Sequence, residues 1–498
     1  MTNKKSSMGI IAKQSFYNSI SIAFAFLIGA LNTVYLYPTY MGSEFQGLIV
    51  ALLAFSNLLQ PFISFGVQHA LIKFYSACET KQDRDALLNF SMLLPLLLFI
   101  LLLPFLFFFK EDIIDIISAK NSNIGRYAFL IIAIAFSTAY FEIFYNWLRV
   151  QLKSVFGNFL KEFYPRALIF VLLSAYALGF LDLDGFVWAL IGGYYLRLLI
   201  VMAYSFRVYT PKFELRLPVQ YKSILKYSLL IFMSGAAASL ILDIDKSMIS
   251  NVLTVENVAY YSVAVFIASV IEFPGRAMFQ IISPMVAKAL NENDKERLTS
   301  LLKKSANNLL LGAGLLFLLI NLNLVDFYQW VNLDGYDKAL DVVFIVSLGK
   351  LSTMSMGCLN NIITNSKYYT YVFWFSIVSA VLAVVLNLYF INEMGIIGAA
   401  YATLIVIVLI NIAKILLIQF TFKINPFSNK TFIALGIILL LYVLIPHIAL
   451  DLSPFLSLII RSLVIVILFL TFSRVFKLTG DLQNVINKFN FLNKKETF

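Results

Sequence analysis

Long apolar runs recur along the whole chain, separated by short polar turns. A helix needs about 20 mainly apolar residues to cross the hydrocarbon core of a bilayer. Fourteen segments reach that length, at 15–38, 47–72, 87–109, 124–148, 157–180, 186–207, 224–251, 257–287, 300–321, 339–364, 369–391, 396–420, 430–450 and 453–473. The pattern predicts an all-α membrane protein with 14 transmembrane helices. The first run is too long for the core of a signal peptide and reads as an uncleaved span. The largest connections, about 73–86, 110–123, 288–299 and 322–338, read as loops too short for an extramembrane catalytic domain. The stretch from Val475 to Phe498 reads either as a short amphipathic helix on the inner surface or as a frayed cytoplasmic tail.

Composition agrees with the pattern. Of 498 residues, 60% are hydrophobic and 13% charged, whereas soluble domains run nearer half apolar and a quarter charged. The formal net charge is +11, from 38 basic and 27 acidic residues. Such a balance can mean nucleic acid, so placement decides. With the N-terminus inside, 29 basic residues fall on the inner side, and only Lys110, Lys120, Arg126 and Lys338 on the outer side. The remaining five, Arg197, Lys246, Arg276, Lys350 and Arg461, lie within spans. This is the positive-inside asymmetry of membrane proteins. It predicts both termini in the cytoplasm and removes the need for a nucleic-acid partner.

Several chemistries have no residues to carry them. Cys78 and Cys358 form neither a disulfide framework nor a zinc spacing. The two histidines, His69 and His447, sit near span ends and read as ordinary interfacial residues. No phosphate-cradling Gly-Lys-Ser/Thr loop and no nucleophile elbow occurs. Gly312-Ala-Gly314 lies inside a span, where it suits helix packing. No enzyme, cofactor or metal is expected.

A repeat is visible instead. The turn 41–48 matches 253–260 at an offset of 212, Pro61 matches Pro274 at 213, and Gly185 matches Gly395 at 210. Each falls at the same place in a six-helix cycle, which predicts two pseudo-symmetric six-helix bundles related by an axis along the membrane normal. The expected division is 1–215 and 216–424 for the two bundles, 425–474 for two extra helices, and 475–498 for the tail.

Polar groups at membrane depth are the remaining clue, since each ionised one costs about 2.5–3.5 kcal/mol on insertion scales. Asp243 and Lys246 are spaced i,i+3 and Glu272 and Arg276 i,i+4, so each set can pair on one helix face. Pro274 between the latter two permits a kink. Asp245 points elsewhere, and Glu142 lies closer to the cytoplasm. The pairs read either as neutralised structural contacts or as functional groups. Arg197 and Lys350 have no acidic neighbour within a helical turn, one in each half of the chain. Buried cations of that kind suit an anionic ligand, and guanidinium suits phosphate in particular. Neutral polar residues recur beside them, among them Asn18 and Asn32 in the first span and Asn57 and Gln60 beside Pro61. Arg461, in the extra spans, reads as structural or snorkelling.

Together with the 14 spans and the repeat, two stretches carry a resemblance. These are Asp243-Ile-Asp245-Lys246…Val258-Ala-Tyr260-Tyr-Ser-Val-Ala264 with Pro284, and the turns Gly42…Glu44…Gly47 and Gly395-Ile-Ile-Gly398. The chain resembles polysaccharide exporters of the multidrug/oligosaccharidyl-lipid/polysaccharide (MOP) superfamily, and within it the Wzx-type O-antigen and capsule repeat-unit flippases. The resemblance covers nearly the whole chain, and its motifs specify the superfamily better than the substrate. It implies a MATE-like, V-shaped pair of bundles around a central cavity, working by alternating access in the bacterial cytoplasmic membrane. The implied substrate is an undecaprenyl-pyrophosphate-linked oligosaccharide moved from the inner to the outer leaflet. Arg197, Arg276 and Lys350 would bind its pyrophosphate and sugars, with Asn18, Asn32 and Gln60 as polar cavity residues. Asp243, Asp245, Glu272 and Glu142 are candidates for coupling transport to protons or sodium. Partners implied are the lipid-linked oligosaccharide, membrane lipids and other membrane proteins of glycan assembly. Lipid II flippases typically carry arginines in the first span, where this chain has asparagines. The alternative is a cation-coupled drug or small-solute antiporter of the same superfamily; those usually have twelve spans and an acidic cavity.

Overall fold

The computed structural model describes residues 24–478 except 76, 119, 152, 215, 332–334 and 449–451, and only the backbone at 116, 230, 234–242, 277, 280 and 281. Every regular element among the described residues is a helix. Hydrocarbon offers no water to an exposed N–H or C=O, so a spanning segment must satisfy its own backbone, and a helix does so within itself. Helix α1 covers 24–40 and includes a π-helical stretch, Leu31–Leu36. It is followed by α2 (Gly42–Ser64), α3 (Val67–Tyr75), α4 (Lys81–Phe108), α5 (Lys110–Ser118) and α6 (Ser122–Arg126). Next come α7 (Ala128–Val150), α8 (Ser154–Glu162), α9 (Tyr164–Ala177), α10 (Leu183–Val208), α11 (Tyr221–Val252) and α12 (Glu256–Ser269). The rest are α13 (Phe273–Asn291), α14 (Lys295–Val331), α15 (Leu340–Ser355), α16 (Leu359–Asn365), α17 (Thr370–Phe422), α18 (Asn429–Leu444) and α19 (Pro454–Val475).

Nine described helices are long and apolar enough to cross a membrane, or ten if the bent pair α15 and α16 is one span. The chain is thus a multi-pass membrane protein. Among the other expected spans, the first begins outside the described residues, as does the middle of α11 for its side chains. The fifth is divided ahead of Pro165 into α8 and α9, the latter 14 residues long. Helix α17 contains two spans. Its 53 residues would measure about 80 Å if straight, but Gly395 has φ 62° and ψ −138°. A Cβ on Gly398 would meet the carbonyl oxygen of Phe390 at 1.9 Å, although eight residues of straight helix extend roughly 12 Å. The chain therefore folds back at Gly395.

Two connections differ from expectation. The stretch 110–123 is mostly the helices α5 and α6, and the helix α14 continues to Val331 through half of the loop expected at 322–338. Other spans are interrupted where one unbroken helix was expected. Between α2 and α3, Phe65 and Gly66 both take left-handed backbone, with φ 49° and 70°. Between α15 and α16 the axis bends by 58° at Gly357, φ 59°. A 3-10 turn, Val270–Glu272, precedes Pro274, so the eighth span is irregular at its proline. The tail beyond 478 and Asn18 lie outside the described residues.

The described residues pack as two compact units, one of residues up to Val263 with Ser376–Ala399, the other of Ala264–Phe375 with the residues from Ala400. In the first, α7 is central: Phe141, Phe144 and Trp147 are buried against Leu71, Leu88 and Leu160. In the second, α14 is central, with Leu310 and Phe317 buried among Ile438, Leu441 and Phe469. Lipid tails are as apolar as leucine, so contacts inside such units come from close packing and polar bonds rather than from escape from water. The turn at Gly47 is such a contact, since a Cβ there would lie 1.9 Å from the carbonyl oxygen of Val255. Gly314 likewise lies against Ile438, which a Cβ would meet at 2.3 Å. Polar ties do the same work: Arg461 on α19 forms an ion pair with Asp326 on α14 and donates to the Leu322 carbonyl oxygen at 2.9 Å.

Gly47→Ala is expected to destabilise the protein by about 1–3 kcal/mol through overpacking against a rigid carbonyl, read as a lowered melting temperature in detergent. Gly192→Ala, with nothing within 4 Å of its Cβ, is expected to leave that temperature unchanged or slightly raised. Arg461→Ala leaves Asp326 unpaired in a largely buried setting, with side-chain exposures of 18% and 16% for the pair. The expected loss is several kcal/mol, seen as reduced protein in the membrane while activity per molecule is retained.

Candidate functional site

The break between α2 and α3 opens on a cavity of about 480 Å³ inside the first unit. Gly66 makes the break possible by its left-handed backbone and by admitting α11, whose Ser228 carbonyl oxygen a Cβ would meet at 2.4 Å. Pro61, in the last turn of α2, withholds one backbone donor just before it. Irregular backbone at membrane depth is tolerated where it is buried in protein or lines a cavity. Asn57 and Gln60 from α2 and His69 from α3 face this one. Helix α7 contributes Thr138 and Glu142, one turn apart on a single face, and α10 contributes Tyr194 and Arg197. Lys161 and Asp243 complete the charged lining.

Arg197 is 4% exposed. Its guanidinium lies over the rings of Phe141 and Tyr194, 4.2 and 4.7 Å from their centroids. Stacking of this kind is worth roughly 2 kcal/mol or more once water is excluded, and it holds the planar group in a fixed orientation. One Nη donates to the Thr138 hydroxyl at a long 3.4 Å, and Nε has no partner. No carboxylate among the described residues forms an ion pair with it. A guanidinium has five donors in a fork that fits two oxygens of a phosphate or carboxylate. Here most of that capacity is open.

The other charges of the cavity are engaged. Lys161 pairs with Glu142 at 2.7 Å. Asp243 accepts from Lys246 at 2.7 Å and from Asn57 at 3.0 Å. Gln60 donates to the Ser64 hydroxyl at 3.2 Å within its own helix. The cavity thus combines one unmatched buried cation with two neutralised pairs.

The remaining expected residues lie elsewhere. Asp245 is not on the cavity wall; it accepts from the Tyr261 hydroxyl at 2.5 Å and from Asn387 at 2.6 Å. Asn32 is buried and donates to the Arg166 carbonyl oxygen at 2.7 Å, which ties α1 to α9. In the second unit, Lys350 pairs with Glu272 at 3.0 Å. The partner that spacing along one helix offered Glu272 was Arg276, and Lys350 looked solitary because its partner is on another helix. Arg276 is exposed and makes contacts of its own. Cys78 donates weakly to the Phe74 carbonyl oxygen at 3.4 Å, and burial pushes its thiol pKa up, which lowers its thiolate fraction. Sequence reasoning missed Lys161, His69, Thr138 and Tyr194. The i,i+3 spacing of Tyr194 and Arg197 was readable; Lys161 was absorbed into the count of inner-side charges.

Comparison with known proteins puts this geometry in context. A family model described as "Polysaccharide biosynthesis protein" matches residues 11–288. No curated protein matches the chain significantly. Among solved structures, the lipid II flippase MurJ in an inward closed conformation superposes with a TM-score of 0.74 at 16% identity, covering 92% of this chain and 98% of that one. An inward-facing multidrug resistance transporter of the MATE family gives 0.59 at 16% identity, covering 81% and 94%. A MOP-superfamily transporter from Pyrococcus furiosus gives 0.53 at 15% identity, covering 83% and 95%. At such identities the likeness concerns the fold, which is that of the MOP transporters. The match over more than half of its length decides the family: the chain belongs to the polysaccharide biosynthesis proteins.

Proposed function

We propose that this chain flips an undecaprenyl-pyrophosphate-linked oligosaccharide from the inner to the outer leaflet of the bacterial cytoplasmic membrane by alternating access. The observation that carries the reading is Arg197, a buried guanidinium with an open fork inside a polar cavity of about 480 Å³. Buried cations without counter-charges are costly, and a diphosphate supplies the missing charge when substrate is bound. The family supports the polysaccharide context, and the fold is shared with a lipid II flippase. The proposal includes fourteen spans with both ends in the cytoplasm, arranged as two six-helix halves and two further helices. Transport, not covalent chemistry, is its content.

Glu142 and Asp243 are proposed as ion-coupling groups of the same cavity. Each already shares its charge with a lysine, and a proton or sodium ion would compete for that carboxylate. Asp245 and Glu272 remain candidates outside it, as do Arg276 and Lys350 for contacts to the cargo. A second reading, a cation-coupled antiporter of drugs or small solutes, draws on the shared fold with MATE transporters and on the carboxylates in the cavity. The open guanidinium favours an anionic cargo over a cationic drug.

Arg197→Ala is expected to abolish restoration of surface glycan in a deletion strain at unchanged protein level, and Arg197→Lys to recover only part of it because the fork is lost. Full activity of Arg197→Ala would sink the cavity argument. For Lys350, the double variant Lys350→Ala/Glu272→Ala is expected to stay inactive, whereas rescue of Lys350→Ala by the second change would make the pair structural. Deleting the gene is expected to accumulate pyrophosphate-linked repeat units in the inner leaflet. Intact surface glycan with new drug sensitivity would support the antiporter instead.

A further inference from the structure

A second cavity in the first unit, about 740 Å³, is bounded by α2, α4, α5 and the start of α7. Its wall is almost wholly apolar. Leu58, Leu59 and Phe62 line it from α2, and Leu103 and Phe107 from α4. From α5 come Ile113, Ile114 and Ile117, whereas Glu111, Asp112 and Asp115 of the same helix are absent from the wall. Helix α5 is therefore amphipathic, with its isoleucine face on the cavity.

Among the described residues, charge reaches this wall in two side chains, Lys110 and Arg126. Lys110 follows the end of α4 by two residues and Arg126 precedes the start of α7 by two, so both mark the same end of that helix pair. These are two of the four basic residues that the charge asymmetry assigns to the outer side. Positive charge is depleted there in general, and half of what remains borders one cavity. Lys110 forms no ion pair among the described residues. Arg126 spends one Nη on Asp184 at 2.7 Å and stays 64% exposed, leaving other donors free.

We propose that the cavity holds one acyl chain of an anionic phospholipid, with the headgroup phosphate on Lys110 and Arg126. Basic pockets between transmembrane helices bind anionic headgroups by the same charge complementarity. The volume falls within the roughly 300–1,000 Å³ of ordinary ligand pockets, which suits a single acyl chain and not a polyprenyl chain several times longer. This lipid is distinct from the transported cargo, and the site does not depend on what that cargo is.

Native mass spectrometry of the full-length protein in detergent, with phosphatidylglycerol and phosphatidylcholine as probes, tests the assignment. Phosphatidylglycerol is expected to bind at least tenfold more tightly, and Lys110→Gln/Arg126→Gln to bring it down to the phosphatidylcholine level. Ile114→Trp, which fills the cavity, is expected to weaken both lipids. Lys120→Gln/Lys338→Gln, at the two outer cations that do not line the cavity, is expected to change neither. Equal binding of the two lipids, or a preference that survives Lys110→Gln/Arg126→Gln, would overturn the proposal. So would displacement of phosphatidylglycerol from this charge-sensitive site by equimolar undecaprenyl phosphate. Both cations are exposed, so the glutamine variant keeps the fold and decides the matter even where the tryptophan variant does not.

Discussion

The backbone hydrogen bond, with no water available to replace it, is the constraint on which this structure depends. It makes every described element a helix and turns each interruption into a problem needing a local solution. The break at Phe65–Gly66 is tolerated beside a polar cavity. At Gly357 the Cys358 N–H finds the Ser305 hydroxyl at 2.9 Å. The fold-back at Gly395 uses a backbone conformation closed to residues with a side chain. Glycine thus stands at three of the interruptions, whereas those ahead of Pro165 and Pro274 fall at proline.

The same dielectric argument sorts the charges. Three cations have counter-charges from a different helix: Lys350 has Glu272, Arg461 has Asp326, and Lys161 has Glu142. Each such pair ties two helices together where hydrophobic driving force is weak. Arg197 is arranged differently. Aromatic faces and one weak hydroxyl contact hold it without neutralising it. Under the proposed function, an anionic cargo would find this cation already oriented and would offset the cost of burying it.

Small residues and amphipathic short helices complete the picture. Gly47 and Gly66 let α2 and the break after it approach the backbone of Val255, in the turn before α12, and of Ser228 on α11 within distances no Cβ permits. Helix α5 keeps Ile113, Ile114 and Ile117 on an apolar cavity and its carboxylates away from it. A chain with few charges thus creates two chemically distinct cavities in one unit, one polar around Arg197 and one apolar with cations at its end.

Much was legible in the chain alone. Apolar runs of membrane length and the inner-side excess of lysine and arginine announce a multi-pass helical membrane protein, because hydrocarbon thickness and water-free backbone leave little else. The isolation of Arg197 was also readable, since a stretch of apolar neighbours surrounds it in sequence. Other features needed the tertiary structure. Lys350 looked equally isolated, yet Glu272 reaches it from another helix; contacts between helices follow packing, not spacing along one of them. The spacing at 272 and 276 offered Glu272 an arginine within one helical turn, and the structure also brings it Lys350 at 3.0 Å. Lys161, Thr138 and Tyr194 are brought to Arg197 by the packing of α7, α8 and α10. Helical period tells which face a residue is on; only the assembled helices decide what that face meets.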